Sequence, residues 1–162
     1  MNIILIGMPG SGKSTVGVLL AKALLYLFVD TDLILQIKYG RSLCDIINEK
    51  GSDGFIEIEN EVLSRQEFEN TVVATGGSAV YGKEAMENLK KNGKVVYLKV
   101  DSNELEKRVQ NITTRGIAMP KGCTLKELYL ERAPLYEKYA DITVDCTKLT
   151  VEETVRKVAE AL

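Results

Sequence analysis

Apolar residues fall along this chain in two alternating rhythms. Short, β-branched runs have the character of strands buried on both faces: Asn2 to Ile6, Tyr26 to Val29, Thr71 to Thr75, Lys94 to Val100 and Asp141 to Asp145. Between them apolar positions recur three and four apart, the spacing of one helix face. That spacing predicts helices over Ser14–Leu25, Leu33–Tyr39, a short segment opened by Ser42, Phe55–Phe68 and Lys83–Lys91. Another carries Arg108, one runs from Thr124 toward Tyr139, and one closes the chain after Thr150. Thr124 with Glu127 and Thr150 with Glu153 have the capping-box spacing, and Asp101 with Glu104 imitates it. Gly51 to Gly54 predicts a break, and Asn92-Gly93 a helix stop. Glu57, Glu59 and Glu61 read as a solvated acidic surface. From Asn111 to Cys123 the periodicity lapses and no core face is evident, so the interval is either a mobile lid or a surface loop. Five strands alternating with helices predict a doubly wound α/β layer.

Bulk properties narrow the possibilities without choosing among them. The chain has 162 residues, 45% hydrophobic and 27% charged, which suits one soluble domain. A net charge of −2 with no like-charge block recommends neither nucleic acid nor membrane as partner. No apolar run approaches the roughly 20 residues of a membrane span, and the chain starts in a core strand rather than a signal peptide. The expected setting is therefore the cytoplasm, with Cys44, Cys123 and Cys146 as reduced thiols. Histidine is absent. That excludes Ser/His/Asp and Cys/His nucleophilic systems, leaves too few ligands for zinc, and passes any proton transfer to Asp, Glu, Lys or Tyr.

Chemistry enters with Gly7-Met8-Pro9-Gly10-Ser11-Gly12-Lys13-Ser14, which satisfies G-x-x-x-x-G-K-[ST] between a predicted strand and a predicted helix. Glycines there let successive N–H groups converge on an anion, the helix adds its positive end, and Lys13 adds a point charge. The Ser14 hydroxyl can ligate Mg²⁺. A nucleoside triphosphate is implied. Asp30-Thr31-Asp32 follows the second strand, at the sheet edge where ligands sit. One Asp suffices to cap the next helix, so the second points to catalysis or a metal. Gly76-Gly77 after the third strand suits close approach to a ligand, or a simple turn.

With the phosphate loop, the Asp30–Asp32 pair, the Ala74-Thr75-Gly76-Gly77-Ser78 stretch and Glu131-Arg132-Ala133-Pro134-Leu135-Tyr136 together, the chain resembles the shikimate kinases along essentially its whole length. The resemblance implies a three-layer α/β/α phosphate-loop kinase: a five-stranded parallel sheet of order 2-3-1-4-5, an acceptor-binding helical region near 32–60 and a mobile lid near 111–123, all within one domain, 1–162. It implies ATP and Mg²⁺ as cofactors. Gly10, Ser11, Gly12, Lys13, Ser14 and Thr15 then hold phosphates, Ser14 and Asp30 the metal, and Arg108 and Thr147 the adenine side. Asp32, Gly76, Gly77 and Arg132 face the acceptor, and Lys13, Asp32 and Arg115 carry the transfer.

Three positions depart from the family pattern. Ile56 stands where the family has an arginine for the shikimate carboxylate, Ser78 replaces a third glycine, and the lid reads Arg115-Gly116-Ile117 rather than Arg-Pro-Leu. The expected activity is ATP-dependent phosphorylation of a small-molecule hydroxyl, shikimate 3-phosphorylation first, by a monomer. The alternatives are a kinase for another small polyol or hydroxy acid, and a degenerate ATP-binding regulatory protein.

Overall fold

A computed structural model describes residues 1–109 and 116–162. Five strands, β1 (Asn2–Ile6), β2 (Leu27–Asp30), β3 (Thr71–Ala74), β4 (Gly93–Lys99) and β5 (Ile142–Asp145), form one sheet of order β2-β3-β1-β4-β5. Every pairing is parallel, with Ile3 beside Val72 on one flank and Lys94 on the other. The central strand β1 is buried at all five residues, which explains its unbroken apolar run. The edge strand β2 is more exposed. Among the described residues no helix is long and apolar enough to cross a membrane.

Among the described residues seven α-helices flank the strands: α1 (Lys13–Leu24), α2 (Thr31–Tyr39), α3 (Leu43–Leu63), α4 (Lys83–Lys91), α5 (Ser102–Arg108), α6 (Leu125–Tyr139) and α7 (Val151–Ala161). Helix α1 packs on β2, β3 and α7, while α3 packs on α4 and α6 on β4. The main core runs from β1 to Val158 of α7. A second apolar cluster of Leu35, Leu43, Ile46, Phe55, Val62 and Ala118 ties α2 and α3 together beside the sheet edge.

Several expectations change in detail. The predicted break is there: non-helical backbone at Gly51 (φ 73°, ψ 173°) kinks α3 into two helical segments, the second of which ends at Leu63 rather than Phe68. The capping boxes of Thr124–Glu127 and Thr150–Glu153 form in both directions. Asp101 and Glu104 do not make one. Asp101 accepts from the Glu104 N–H, but its own N–H donates to Thr147 Oγ1 while Glu104 pairs with Arg108. The interval taken to lack a core face has one: Ala118 is buried in the second cluster, and Ile117, Met119 and Cys123 pack on the main core. Its first residues, with Arg115, lie outside the described residues.

Candidate active site

The carboxyl ends of the strands gather the predicted residues from distant stretches of chain. The phosphate loop leaves β1 with Gly10 and Gly12 at φ 85° and 92°, a left-handed backbone that side chains disfavour. Gly12 is the N-cap of α1 and offers no side-chain acceptor, so the first turn of the helix keeps its amides available for an anion. Lys13 is buried, and its ammonium donates to the carbonyls of Gly7 (2.7 Å) and Met8 (2.9 Å), curling over the loop it serves.

Across from the loop, the Asp30 side chain does two things at once. Its Oδ1 accepts the Asp32 N–H at 3.0 Å, capping α2, and its Oδ2 accepts the Ser14 hydroxyl at 2.7 Å. Capping therefore accounts for Asp30 but not for Asp32, whose side chain stands on the first turn of α2 and opens on the cleft. A cleft of about 110 Å³ is lined by Lys13, Ser14, Asp32, Gly76, Gly77 and Arg132, among others, so donor-side and acceptor-side candidates share one space.

The acceptor wall is built by close packing. A Cβ on Gly76 would stand 2.6 Å from Glu59 Oε1 and 2.9 Å from Asp32 Oδ1; one on Gly77 would meet Pro9 Cδ at 2.8 Å and Arg132 Nη1 at 2.9 Å. Close approach, rather than a simple turn, is why both are glycine. Tyr136, fully buried and stacked on Tyr97 at 5.1 Å, donates its hydroxyl to the Gly77 carbonyl at 2.7 Å and so fixes that loop. Burial pushes the Tyr136 phenol up, which keeps it a donor. Arg132 is 1% exposed; its Nη2 donates to the Ala118 carbonyl at 2.5 Å and its guanidinium lies 5.3 Å from the Tyr81 ring centre. Among the described residues it has no carboxylate at ion-pair distance.

A second cleft, beside the loop, is lined by Gly10, Ser11, Thr15, Arg108, Cys146 and Thr150. Thr147 does not line it; its hydroxyl accepts from the Asp101 N–H and holds the loops after β4 and β5 together. Glu59 corrects the acidic-surface reading. It is 1% exposed, accepts from the Ser78 hydroxyl at 2.5 Å, and burial raises its acid to about 7. The signal was in its spacing: Phe55, Glu59 and Val62 share the buried stripe of α3. Ser78 was marked by its departure from the family's third glycine and Tyr136 by the family stretch it ends, while Tyr81 carried no such mark; the contact each hydroxyl makes comes from across the fold.

Comparison with known proteins gives the family and the fold. The family model described as shikimate kinase matches residues 9–162. The chain belongs to the shikimate kinase family. A shikimate kinase of Francisella tularensis subsp. holarctica is 38% identical over 165 residues, 99% of this chain and 94% of that one. One from Thermodesulfovibrio yellowstonii is 37% identical over 160 residues, 97% and 92%. The structure of an Acinetobacter baumannii shikimate kinase in complex with shikimate superposes with a TM-score of 0.88 at 30% identity, covering 99% of this chain and 91% of that one. As a member of the family, the kinase uses ATP as phosphoryl donor to a small molecule.

Proposed function

We propose that this kinase transfers the γ-phosphoryl group of ATP to a hydroxyl of shikimate, giving shikimate 3-phosphate for aromatic amino acid synthesis. The supporting observation is Arg132: a buried guanidinium with no carboxylate partner among the described residues, opening on the same cleft as Lys13 and Asp32. Such a cation invites a planar anion, and an acceptor bearing a carboxylate supplies one.

Each residue's task follows from where it stands. The loop amides and Lys13 take the phosphates and offset charge on the equatorial oxygens of the transferred group. Asp32 accepts a hydrogen bond from the acceptor hydroxyl and takes its proton as that oxygen bonds to phosphorus and ADP leaves. Gly76 and Gly77 admit the acceptor, and Arg132 grips its carboxylate. Arg108 covers the adenine. Arg115, outside the described residues, is assigned to the transferred phosphoryl. The Ser14 hydroxyl and Asp30 carboxylate, 2.7 Å apart, fit Mg²⁺ as hard oxygen donors. Bound there, the metal neutralises phosphate charge. The working form is a cytoplasmic monomer.

Coupled ADP release tests the assignment. ATP turnover should depend on shikimate, and Asp32→Asn should lower kcat by roughly a hundredfold or more while nucleotide binding persists. Turnover that ignores shikimate but rises with another alcohol would move the kinase to a different acceptor; Asp32→Asn at the wild-type rate would remove Asp32 as base.

A further inference from the structure

Glu59 sits on α3 just behind the acceptor wall, enclosed, with Oε2 accepting from Ser78. Among the described residues its Oε1 has no hydrogen-bond partner although solvent does not reach it. That oxygen and Asp32 Oδ1 lie 2.6 Å and 2.9 Å from the point where a Cβ on Gly76 would stand. Of the two carboxyl groups only Asp32 opens on the cleft. The groups facing Glu59 are Asp32 from α2, Lys13 from α1, Arg132 and Tyr136 from α6, and Ser78 from the loop after β3. On α3 itself the position one turn back is Ile56, packed in the apolar cluster.

A carboxylate with an unpartnered oxygen in this enclosure is costly, and a second negative charge across Gly76 makes it costlier. The neutral acid fits better: Ser78 donates to Oε2 and the proton rests on Oε1.

We propose that the charge on Glu59 sets which acceptors the site admits: neutral, Glu59 lets in an acceptor carrying a carboxylate, and ionised, it repels one. The inference rests on the acidic acceptor proposed above. Burial, joined by the Asp32 charge, raises the Glu59 acid to about 7, against the pull of Ser78, Arg132 and Lys13, so the change falls near neutrality. Shikimate itself stays ionised there, as an ordinary carboxylic acid does. The wall charge, not the acceptor charge, is what varies.

The test compares acceptor KM and kcat from about pH 5.5 to about pH 8.5 for wild type, Glu59→Gln and Ser78→Gly, with shikimate and with its uncharged methyl ester. In wild type the shikimate KM rises roughly tenfold across this range, as one added charge a few side chains away predicts at intermediate dielectric, while the ester KM stays level. In Glu59→Gln the shikimate KM no longer follows pH. In Ser78→Gly the rise moves to higher pH, because the lost hydrogen bond favoured the ionised form. A level wild-type shikimate KM, or an equal rise with the ester, overturns the inference. The proton is also read without any acceptor: wild type shows the infrared C=O band of a buried neutral carboxyl at about pH 6, and Glu59→Gln lacks it. No such band overturns the inference whatever the acceptor proves to be. The band with no shikimate turnover at any pH leaves Glu59 neutral and overturns the acceptor assignment instead.

Discussion

At the scale of single residues, the site depends on where side chains are missing as much as on where they are present. A methyl at position 77 would have to share space with Pro9 of the phosphate loop and with Arg132. Gly77→Ala should therefore cost about ten- to a hundredfold in kcat/KM for the acceptor, since displacements near 1 Å have such effects on phosphoryl transfer; steady-state kinetics at saturating ATP would show it. Glu59 also links the site to stability. Its acid sits at about 7 in the fold against an ordinary 4.5. A raised carboxylic acid contributes fully below the unfolded value, and that contribution is lost as pH climbs through the folded one. Glu59→Gln should thus gain on wild type as pH rises from about 4.5 to about 7, by on the order of 3 kcal/mol above that window. Urea midpoints of both proteins at pH values on either side would measure it.

At the scale of elements, helices present these residues because their ends and faces are specified locally. Asp30 caps α2 and thereby sets Asp32 on its first turn, while the Thr124–Glu127 box starts α6 two turns before Arg132. The fit of α1 against the sheet is as close as that of the acceptor wall. A Cβ on Gly17 would meet Phe28 Cε2 of β2 at 2.6 Å and Leu5 Cδ1 at 3.4 Å. Gly17→Ala should destabilise the fold by about 1–3 kcal/mol through overpacking, despite alanine's better helix propensity. Equilibrium denaturation would register it as a lower midpoint. Since α1 begins with Lys13, the same variant should weaken ATP binding if the helix moves outward.

At the scale of the whole molecule, the sheet edge unites the two halves of the proposed site: the loop after β1, assigned to phosphates, and the cleft wall from α2, α3, the β3 loop and α6, assigned to the acceptor. The cores of the described residues are built from apolar side chains in clusters around the sheet. Removing divalent metal with a chelator should therefore abolish turnover while leaving the thermal midpoint of the nucleotide-free protein unchanged; Mg²⁺ with ATP at about a hundred times its Kd should raise stability by about 2.7 kcal/mol. The sequence by itself determined the alternation of strands and helices, the phosphate loop, the Asp30–Asp32 pair and two working capping boxes, because each is encoded by neighbours a few residues apart. It also carried the family, through motifs kept in order along the chain. What it could not decide were matters of distance. Glu59 shares the spacing of Phe55 and Val62, but its flanking glutamates point to solvent, and only the packing of α3 against Gly76 decides that this carboxyl group is enclosed. Glu104 had the spacing of a cap but turns to Arg108, because Thr147, far along the chain, takes the Asp101 N–H. Charge and hydrogen bonding depend on what the fold brings near, and local sequence records only what is already adjacent.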